Sequence, residues 1–189
     1  MSARFIGERS AVAAIEFAMV SPVLILLIIE ILQIGFYFYT SATLNYATNA
    51  AARQIRVGAV AASSETAAQF KANFCSYLSG PMPCASVIQN LYTVPEGVSP
   101  AGFYAFLNTT QTGLAPPQTN TAIPAAFCPG QPGSVIYVQN YYAMPIFSPI
   151  WFAVASQNFN GSVVHFVLAT AAFKNEPYQG AQGDTAAGC

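Results

Sequence analysis

Residues 10–39, SAVAAIEFAMVSPVLILLIIEILQIGFYFY, form an almost unbroken apolar stretch that contains two glutamates. As an α-helix, residues 17–39 reach about 34 Å, slightly more than the roughly 30 Å hydrocarbon core of a bilayer. The stretch is longer than the apolar region of a secretory signal peptide, and no small-residue cleavage site follows it. We therefore predict a retained transmembrane helix over residues 17–39.

The charges that flank this stretch predict its orientation. Arg4 and Arg9 precede it, whereas the first cations beyond it are Arg53 and Arg56. Basic residues close to a membrane-spanning helix favour the cytoplasmic side. We expect a single-pass protein whose short N-terminus is cytoplasmic and whose remaining chain lies outside.

The composition of the whole chain limits the classes of function. Charged residues make up 7% of the 189 residues, hydrophobic residues make up 54%, and the formal net charge is −1. Nucleic-acid-binding proteins need basic patches that neutralise phosphates, so we expect no nucleic-acid partner. A chain this poor in charge suits a lipid bilayer or a protein assembly.

The four cysteines all follow the apolar stretch, on the predicted outer side. An even number of cysteines suits an oxidising compartment. Cys75 and Cys84 flank a Gly/Pro turn, which favours a Cys75–Cys84 disulfide and leaves Cys128 to pair with Cys189, although the sequence permits three pairings. Zinc-ligand spacings and phosphate-binding loops are absent from the sequence, so we expect no metal and no cofactor.

Glu16, Glu30 and Gln33 form what we call the polar stripe of the predicted helix. Glu16 and Glu30 lie about 40° apart around the axis, and Gln33 lies about 60° from Glu30. A carboxylate at membrane depth costs about +2.5 to +3.5 kcal/mol on insertion scales and is retained where a partner compensates it. The polar stripe therefore predicts packing against a protein neighbour, and hydrogen bonds to another helix suffice for Glu30 and Gln33.

Pro22 lies inside the predicted span. It removes one backbone hydrogen bond and pushes against the preceding turn, which indicates a helix kink. The neighbouring Ser21 can bond a carbonyl that the proline frees. Either the kink helps subunits pack after they leave lipid, or the helix simply tolerates it.

Helical spacing continues beyond the span. Apolar side chains recur at Leu44, Ala47, Ala51 and Ile55, which predicts one helix over residues 13–57 that ends at Gly58.

A second, shorter helix is predicted over residues 63–80. Ser63 or Ser64 would cap its N-terminus, with Phe70, Phe74 and Leu78 on one face.

The remaining chain has the pattern of strands and loops. Residues 86–94, 135–144 and 163–173 are rich in Val, Ile, Tyr and Phe, and Pro/Gly/Asn/Thr-rich stretches separate them. We expect a long loop over 107–134 and a short extra strand over Phe103–Leu107. The resulting prediction is an α+β fold in which an antiparallel sheet of three or four strands packs on the outer half of the long helix.

His165 is the only histidine and lies in a predicted strand. Asp184 lies in a Gly-rich tail, and no Ser-His-Asp or Cys-His arrangement is recognisable by spacing. We expect a structural role for His165 and no enzymatic activity.

The N-terminal pattern resembles a known family, the TadE-like minor pilins of tight-adherence (Tad, or Flp) pilus systems. Over residues 9–58 the resemblance rests on a basic leader, small residues, an aliphatic run and four marked positions: Glu16-Phe17, Pro22, Glu30 and Ala51-Ala52-Arg53. Residues 133–178 resemble the family's extended segment and its closing Asn175-Glu176-Pro177 end. The resemblance implies a pilin-like α+β architecture.

The resemblance also implies cleavage by a membrane aspartic prepilin peptidase that leaves the glutamate as the fifth mature residue. The cut would fall between Ala11 and Val12, with Glu16 and Phe17 in the recognised neighbourhood, although Ala11 stands where Gly is usual. The implied parts are a leader (1–11), a long helix (12–58) and a periplasmic domain (59–189).

Three roles are open for Glu16. Its carboxylate could pair with the new amine of Val12, in its own chain or in the adjacent subunit. It could instead serve only peptidase recognition, or it could stay protonated in the membrane.

The implied function is that of a minor pilin or pseudopilin in the inner membrane, acting in pilus assembly or initiation and entering the pilus or its tip. Its partners would be major and other minor pilins, the prepilin peptidase, the inner-membrane assembly platform and the lipid bilayer. The alternative is an unprocessed single-pass periplasmic scaffold or binding component of the Tad secretion machinery. Residues 11–16 separate the two, because only an assembling pilin needs a cleavable junction beside a membrane glutamate.

Overall fold

The structure is a computed structural model that describes residues 8–97, 102–108, 110–112 and 126–178. It combines a long N-terminal helix, short helices and a four-stranded antiparallel sheet, which confirms the predicted α+β class. The chain divides into a first unit, Met1–Phe38 with Pro145–His165, and a second unit, Tyr39–Met144 with Phe166–Cys189.

Helix α1 (Glu8–Arg56) begins before the predicted start at residue 13 and ends close to the predicted end at residue 57. It continues through Pro22. Every side chain from Val12 to Leu32 is exposed except those of Ser21, Ile29 and Glu30, which are half-buried. By length and composition, α1 is apolar enough to cross a membrane.

The part of α1 in the second unit is amphipathic. Leu44, Ala47, Ala51 and Ile55 are at most 1% exposed, at the helical spacing that predicted them. Thr48 is also buried, and its Oγ1 accepts a hydrogen bond from Nδ2 of Asn140 at 2.9 Å.

Gly58 ends α1, and a four-residue helix, α2 (Ala59–Ala62), follows it. The φ of Gly58 is 78°, in the left-handed region that glycine adopts without strain. A Cβ at this position would lie 2.4 Å from the ring of Tyr178. Glycine is therefore required both for the turn and for the close approach of the ring.

Helix α3 (Ala67–Ser76) is shorter than the predicted 63–80. Its N-cap is Thr66 rather than Ser63 or Ser64, because Thr66 and Gln69 form a reciprocal capping box. Phe70 and Phe74 are fully buried as predicted. Leu78 lies beyond the helix end and is half-buried.

The sheet contains β1 (Val87–Thr93), β2 (Val135–Pro145), β3 (Gln157–Phe159) and β4 (Ser162–Lys174), in the order β1-β2-β4-β3. β1 and β2 are antiparallel, with Val87 opposite Tyr142 and Thr93 opposite Ile136. The hairpin β3–β4 turns at Asn160-Gly161, where both φ values are positive, as in type I′ turns.

β2 is buried on both faces, except at its ends. On one face Asn140 contacts α1 through Thr48. On the other, the rings of Phe103 and Phe106 lie 5.9 Å and 5.0 Å from that of Tyr137.

The expected strand over Phe103–Leu107 is wrong, because the structure has a 3₁₀ helix over Gly102–Phe106. The aromatic side chains of this segment pack on the sheet face instead of extending the ladder. Residues 113–125 of the expected loop lie outside the described residues.

A second difference is helix α4 (Pro149–Ala155), which lies between the predicted strands 135–144 and 163–173, where no helix was predicted. Ser148 precedes it as N-cap, and Pro149 occupies its first turn. A serine followed by a proline is a helix-start signal, and this signal indicates α4.

Tyr141 makes the stability of the second unit sensitive to alkaline pH. Its side chain is 5% exposed. Burial, together with repulsion from Tyr137 and Tyr92, raises the pKa of Tyr141 from 10.0 to about 12. Because the pKa of Tyr141 is higher in the folded than in the unfolded protein, the neutral phenol stabilises the fold. This stabilisation is complete below pH 10 and is lost as the pH rises toward 12.

We predict that Tyr141→Phe flattens the decline of melting temperature between pH 10 and about 12, because the variant has no phenol to ionise there. Melting curves of the detergent-solubilised protein over this range measure the slope. Tyr46→Phe is the matched control, since Tyr46 is 66% exposed. Equal slopes for wild type and Tyr141→Phe would contradict the prediction.

Candidate functional site

Glu30 and Gln33 hold the segment that leads into α4. Gln33 is fully buried, and its Oε1 accepts a hydrogen bond from the backbone N–H of Phe147 at 3.0 Å. The hydroxyl of Ser148, a residue that is 1% exposed, donates to Oε1 of Glu30. Two members of the polar stripe therefore have partners within their own chain, whereas the sequence suggested a neighbouring helix.

Ser148 links this contact to the start of α4. Its Oγ accepts the backbone N–H of Trp151 at 3.1 Å while its hydroxyl proton points to Glu30. A hydrogen bond to a carboxylate is about twice as strong as a neutral one when the carboxyl is ionised. The N-cap of α4 and the attachment of α4 to α1 thus depend on the same hydroxyl.

Three aromatic rings pack at α4. Ring centroids lie 5.4 Å apart for Tyr37 and Trp151, 5.0 Å for Trp151 and His165, and 5.8 Å for Tyr37 and His165. Nδ1 of His165 lies 3.0 Å from the carbonyl oxygen of Ala155, the last residue of α4. Because a carbonyl only accepts, Nδ1 carries the proton here, and His165 fixes the C-terminal end of α4.

Val12, Glu16 and Phe17 of the predicted processing site lie on the exposed apolar part of α1. Val12 is 54% exposed and Phe17 is 69% exposed. Glu16 is exposed and makes no hydrogen bond or ion pair within the described part of the chain. The Ala11–Val12 bond lies inside α1, close to its first residue.

Pro22 supplies no backbone N–H to α1, but the helix continues through it. The kink and its use in packing stay predictions.

Residues 11–53 match the family model described as TadE-like protein. Over this segment the chain is similar to the TadE-like family. The match contains Glu16, Pro22 and Glu30, and it confirms the resemblance seen at the N-terminus. It points to a pilin-like protein associated with a Tad pilus system. No curated protein and no solved structure matches the chain.

The resemblance at residues 133–178 lies outside the matched segment and stays a prediction. Asn175, within it, is 2% exposed. Its Nδ2 donates to the carbonyl oxygens of Pro129 at 2.9 Å and Gln131 at 3.2 Å. Its backbone N–H donates to the carbonyl of Ser134 at 2.9 Å. Asn175 therefore ties the end of β4 to the loop that precedes β2.

Glu176 joins the same region to the end of α1. Its backbone N–H donates to the carbonyl of Arg56 at 2.9 Å, which satisfies a free carbonyl at the helix terminus. Its Oε1 lies 3.2 Å from Nε of Arg56, with both side chains about half exposed. Pro177 follows, and then Tyr178 covers Gly58. Asn175 and Glu176 of the closing Asn-Glu-Pro motif thus make structural contacts in this chain.

A disulfide joins Cys75 and Cys84, with 5.7 Å between their Cα atoms, and it ties α3 to the 3₁₀ turn Cys84–Ser86. In the turn between the two cysteines, the carbonyl of Ser79 accepts a hydrogen bond from the hydroxyl of Tyr39 at 2.9 Å. Cys189 lies outside the described residues, so the Cys128–Cys189 pairing stays a prediction. Within the described ranges, no three His, Cys, Asp or Glu side chains gather as metal ligands.

We predict that Asn175→Ala destabilises the protein by about 1–3 kcal/mol, because both side-chain hydrogen bonds are lost from a buried position. Thermal and urea unfolding followed by near-UV circular dichroism measure the effect. Asn158→Ala is the control, since Asn158 is exposed in β3. Equal stability of the two variants would show that the Asn175 amide does not hold the loop.

Proposed function

We propose that this chain is a minor pilin or pseudopilin of a Tad pilus, anchored by α1 in the inner membrane and cut between Ala11 and Val12. It would act in pilus assembly or initiation through helix packing. The observation that carries the proposal is the TadE-like match over residues 11–53, which begins beside the proposed cut.

The exposure of α1 supports an assembling role. Bare apolar side chains from Val12 to Leu32 require a cover that the described chain does not supply. Lipid supplies this cover before assembly, and the helices of major and minor pilins supply it afterwards. The prepilin peptidase and the inner-membrane assembly platform would be the other partners.

Glu16 is the residue that we assign to subunit recruitment. It has no partner in the described chain, whereas Glu30 and Gln33 are already bonded. After cleavage, Val12 would carry a positive amine one helical turn from Glu16, close enough for the two charges to interact. When the Glu16 carboxylate of an incoming subunit pairs with this amine, the pair offsets the cost of both charges in lipid and sets the axial register.

The first test measures intact mass of the membrane-extracted protein from strains with and without the prepilin peptidase. We expect loss of residues 1–11 only where the peptidase is present. Ala11→Gly should raise the processed fraction, because it restores the residue that the family resemblance implies at this position. Ala14→Gly is the matched control and should leave it unchanged. A full-length chain in both strains would overturn the proposal and favour the unprocessed scaffold component.

A second test separates recruitment from recognition by the peptidase. We expect Glu16→Gln to be cut normally but to reduce pili in the sheared surface fraction, because the amide cannot neutralise the amine. Glu8→Gln is the control, since residue 8 leaves with the leader. Normal piliation by fully processed Glu16→Gln would exclude the charge pair, and failed processing would assign Glu16 to peptidase recognition.

A further inference from the structure

Helix α4 and the residue that precedes its cap expose four large apolar side chains. The exposed fractions are 51% for Phe147, 48% for Ile150, 56% for Phe152 and 78% for Val154. Exposed apolar patches of this kind mark contact with a membrane or another protein. Asp, Glu, Lys and Arg are absent from the sequence between Met144 and Lys174, so the surface has no charge to direct it toward a charged partner.

The attachment of α4 to α1 fixes its level along the helix axis. Phe147 and Ser148 bond to Gln33 and Glu30, at the end of the stretch of α1 in which nearly every side chain is exposed; beyond it, exposed apolar side chains such as Ile34 and Phe38 alternate with buried and half-buried ones. From Val12 to Glu30, α1 rises about 27 Å, nearly the roughly 30 Å thickness of the hydrocarbon core. If Val12 lies at the inner boundary, α4 lies at the outer boundary.

The side chains around α4 agree with this level. Tyr37 and Trp151 pack together, and the rings of Phe36 and Phe147 lie 6.4 Å apart. Trp and Tyr concentrate where hydrocarbon meets headgroups, because their rings are apolar and their N–H or O–H groups reach water. The carboxyl of Glu30 is then at a hydrated boundary, not in the interior of the bilayer, which lowers its cost.

We infer that α4 is an interfacial membrane element, seated in the acyl–headgroup boundary of the outer leaflet beside the point where α1 leaves the hydrocarbon. Its four exposed side chains enter lipid, and the Glu30–Ser148 and Gln33–Phe147 hydrogen bonds hold it there. The hydrocarbon section of α1 is then about residues 12–32, closer to the N-terminus than the predicted 17–39. This inference requires that α1 spans the membrane, but it does not require cleavage.

Lipid is favoured over a second protein because Trp151 and Tyr37 pack beside the exposed side chains of α4, and because no Asp, Glu, Lys or Arg between Met144 and Lys174 would orient a protein partner. The exposed side chains of α4 and those of α1 from Val12 to Leu32 lie in the first unit, and both sets need the same apolar cover.

Trp151 allows a direct test, since it is the only tryptophan in the chain. The full-length protein is reconstituted in phosphatidylcholine vesicles that carry bromine either near the headgroup or near the chain end. We expect loss of Trp151 fluorescence that is larger with shallow bromine than with deep bromine. Unchanged fluorescence with both lipids would overturn the inference.

Two further variants make the outcome specific. Trp151→Phe combined with Leu24→Trp moves the probe to the middle of the hydrocarbon section of α1, where deep bromine should quench more strongly. If this probe is quenched but Trp151 is not, the inference about α4 fails alone. If neither is quenched, α1 does not span, and the membrane anchor of the proposed function fails with it.

Phe152→Ser combined with Val154→Ser removes apolar surface without touching Ser148 or Trp151, and it should reduce shallow quenching. Gln157→Ser is the matched control at an exposed neighbouring position. A different result would be that bromine does not quench Trp151, and that Trp151 is shielded from solvent only at a high protein-to-lipid ratio. This result would assign the surface to contact with another copy of the chain, which also overturns the inference.

Discussion

A polar group on an apolar helix needs a partner, and this requirement determines much of what α1 does. Gln33 and Glu30 meet it through Phe147 and Ser148, which in turn place and cap α4. Thr48 meets it through Asn140 in the second unit. The buried Nε2 of Gln33 has no hydrogen-bond partner within the described chain. Glu16 has none there either, and because it is exposed, its carboxyl is accessible to another molecule.

The closing motif, with Tyr178 after it, satisfies several groups of the second unit at once. One short segment satisfies a terminal carbonyl of α1 through Glu176 and ties the loop before β2 through Asn175. The ring of Tyr178 packs on Gly58, where the positive φ already favours glycine. Residues far apart in sequence thus close the unit around the end of α1, and each contact involves backbone that would otherwise lack a partner.

Much of the fold follows from local periodicity, whereas the partners of the polar stripe do not. The spacing from Leu44 to Ile55 predicted both the helix and its buried face, and β-branched and aromatic runs predicted β1, β2 and β4. The segment that forms α4 is only seven residues long and lies between two predicted strands, so no helical periodicity identified it, although Ser148-Pro149 indicates a helix start. Glu30 bonds a residue 118 positions away, and no local pattern encodes such a contact.

The buried bond between Thr48 and Asn140 has a mechanical consequence. Around it α1 buries the small side chains of Ala47, Ala51 and Ala52, which make no hydrogen bonds of their own. A slip of one helical turn, about 5.4 Å, would break a hydrogen bond that water cannot replace. Tension applied along α1 is therefore transmitted to the sheet as shear at this bond, so that a pull on the helix moves the folded domain with it.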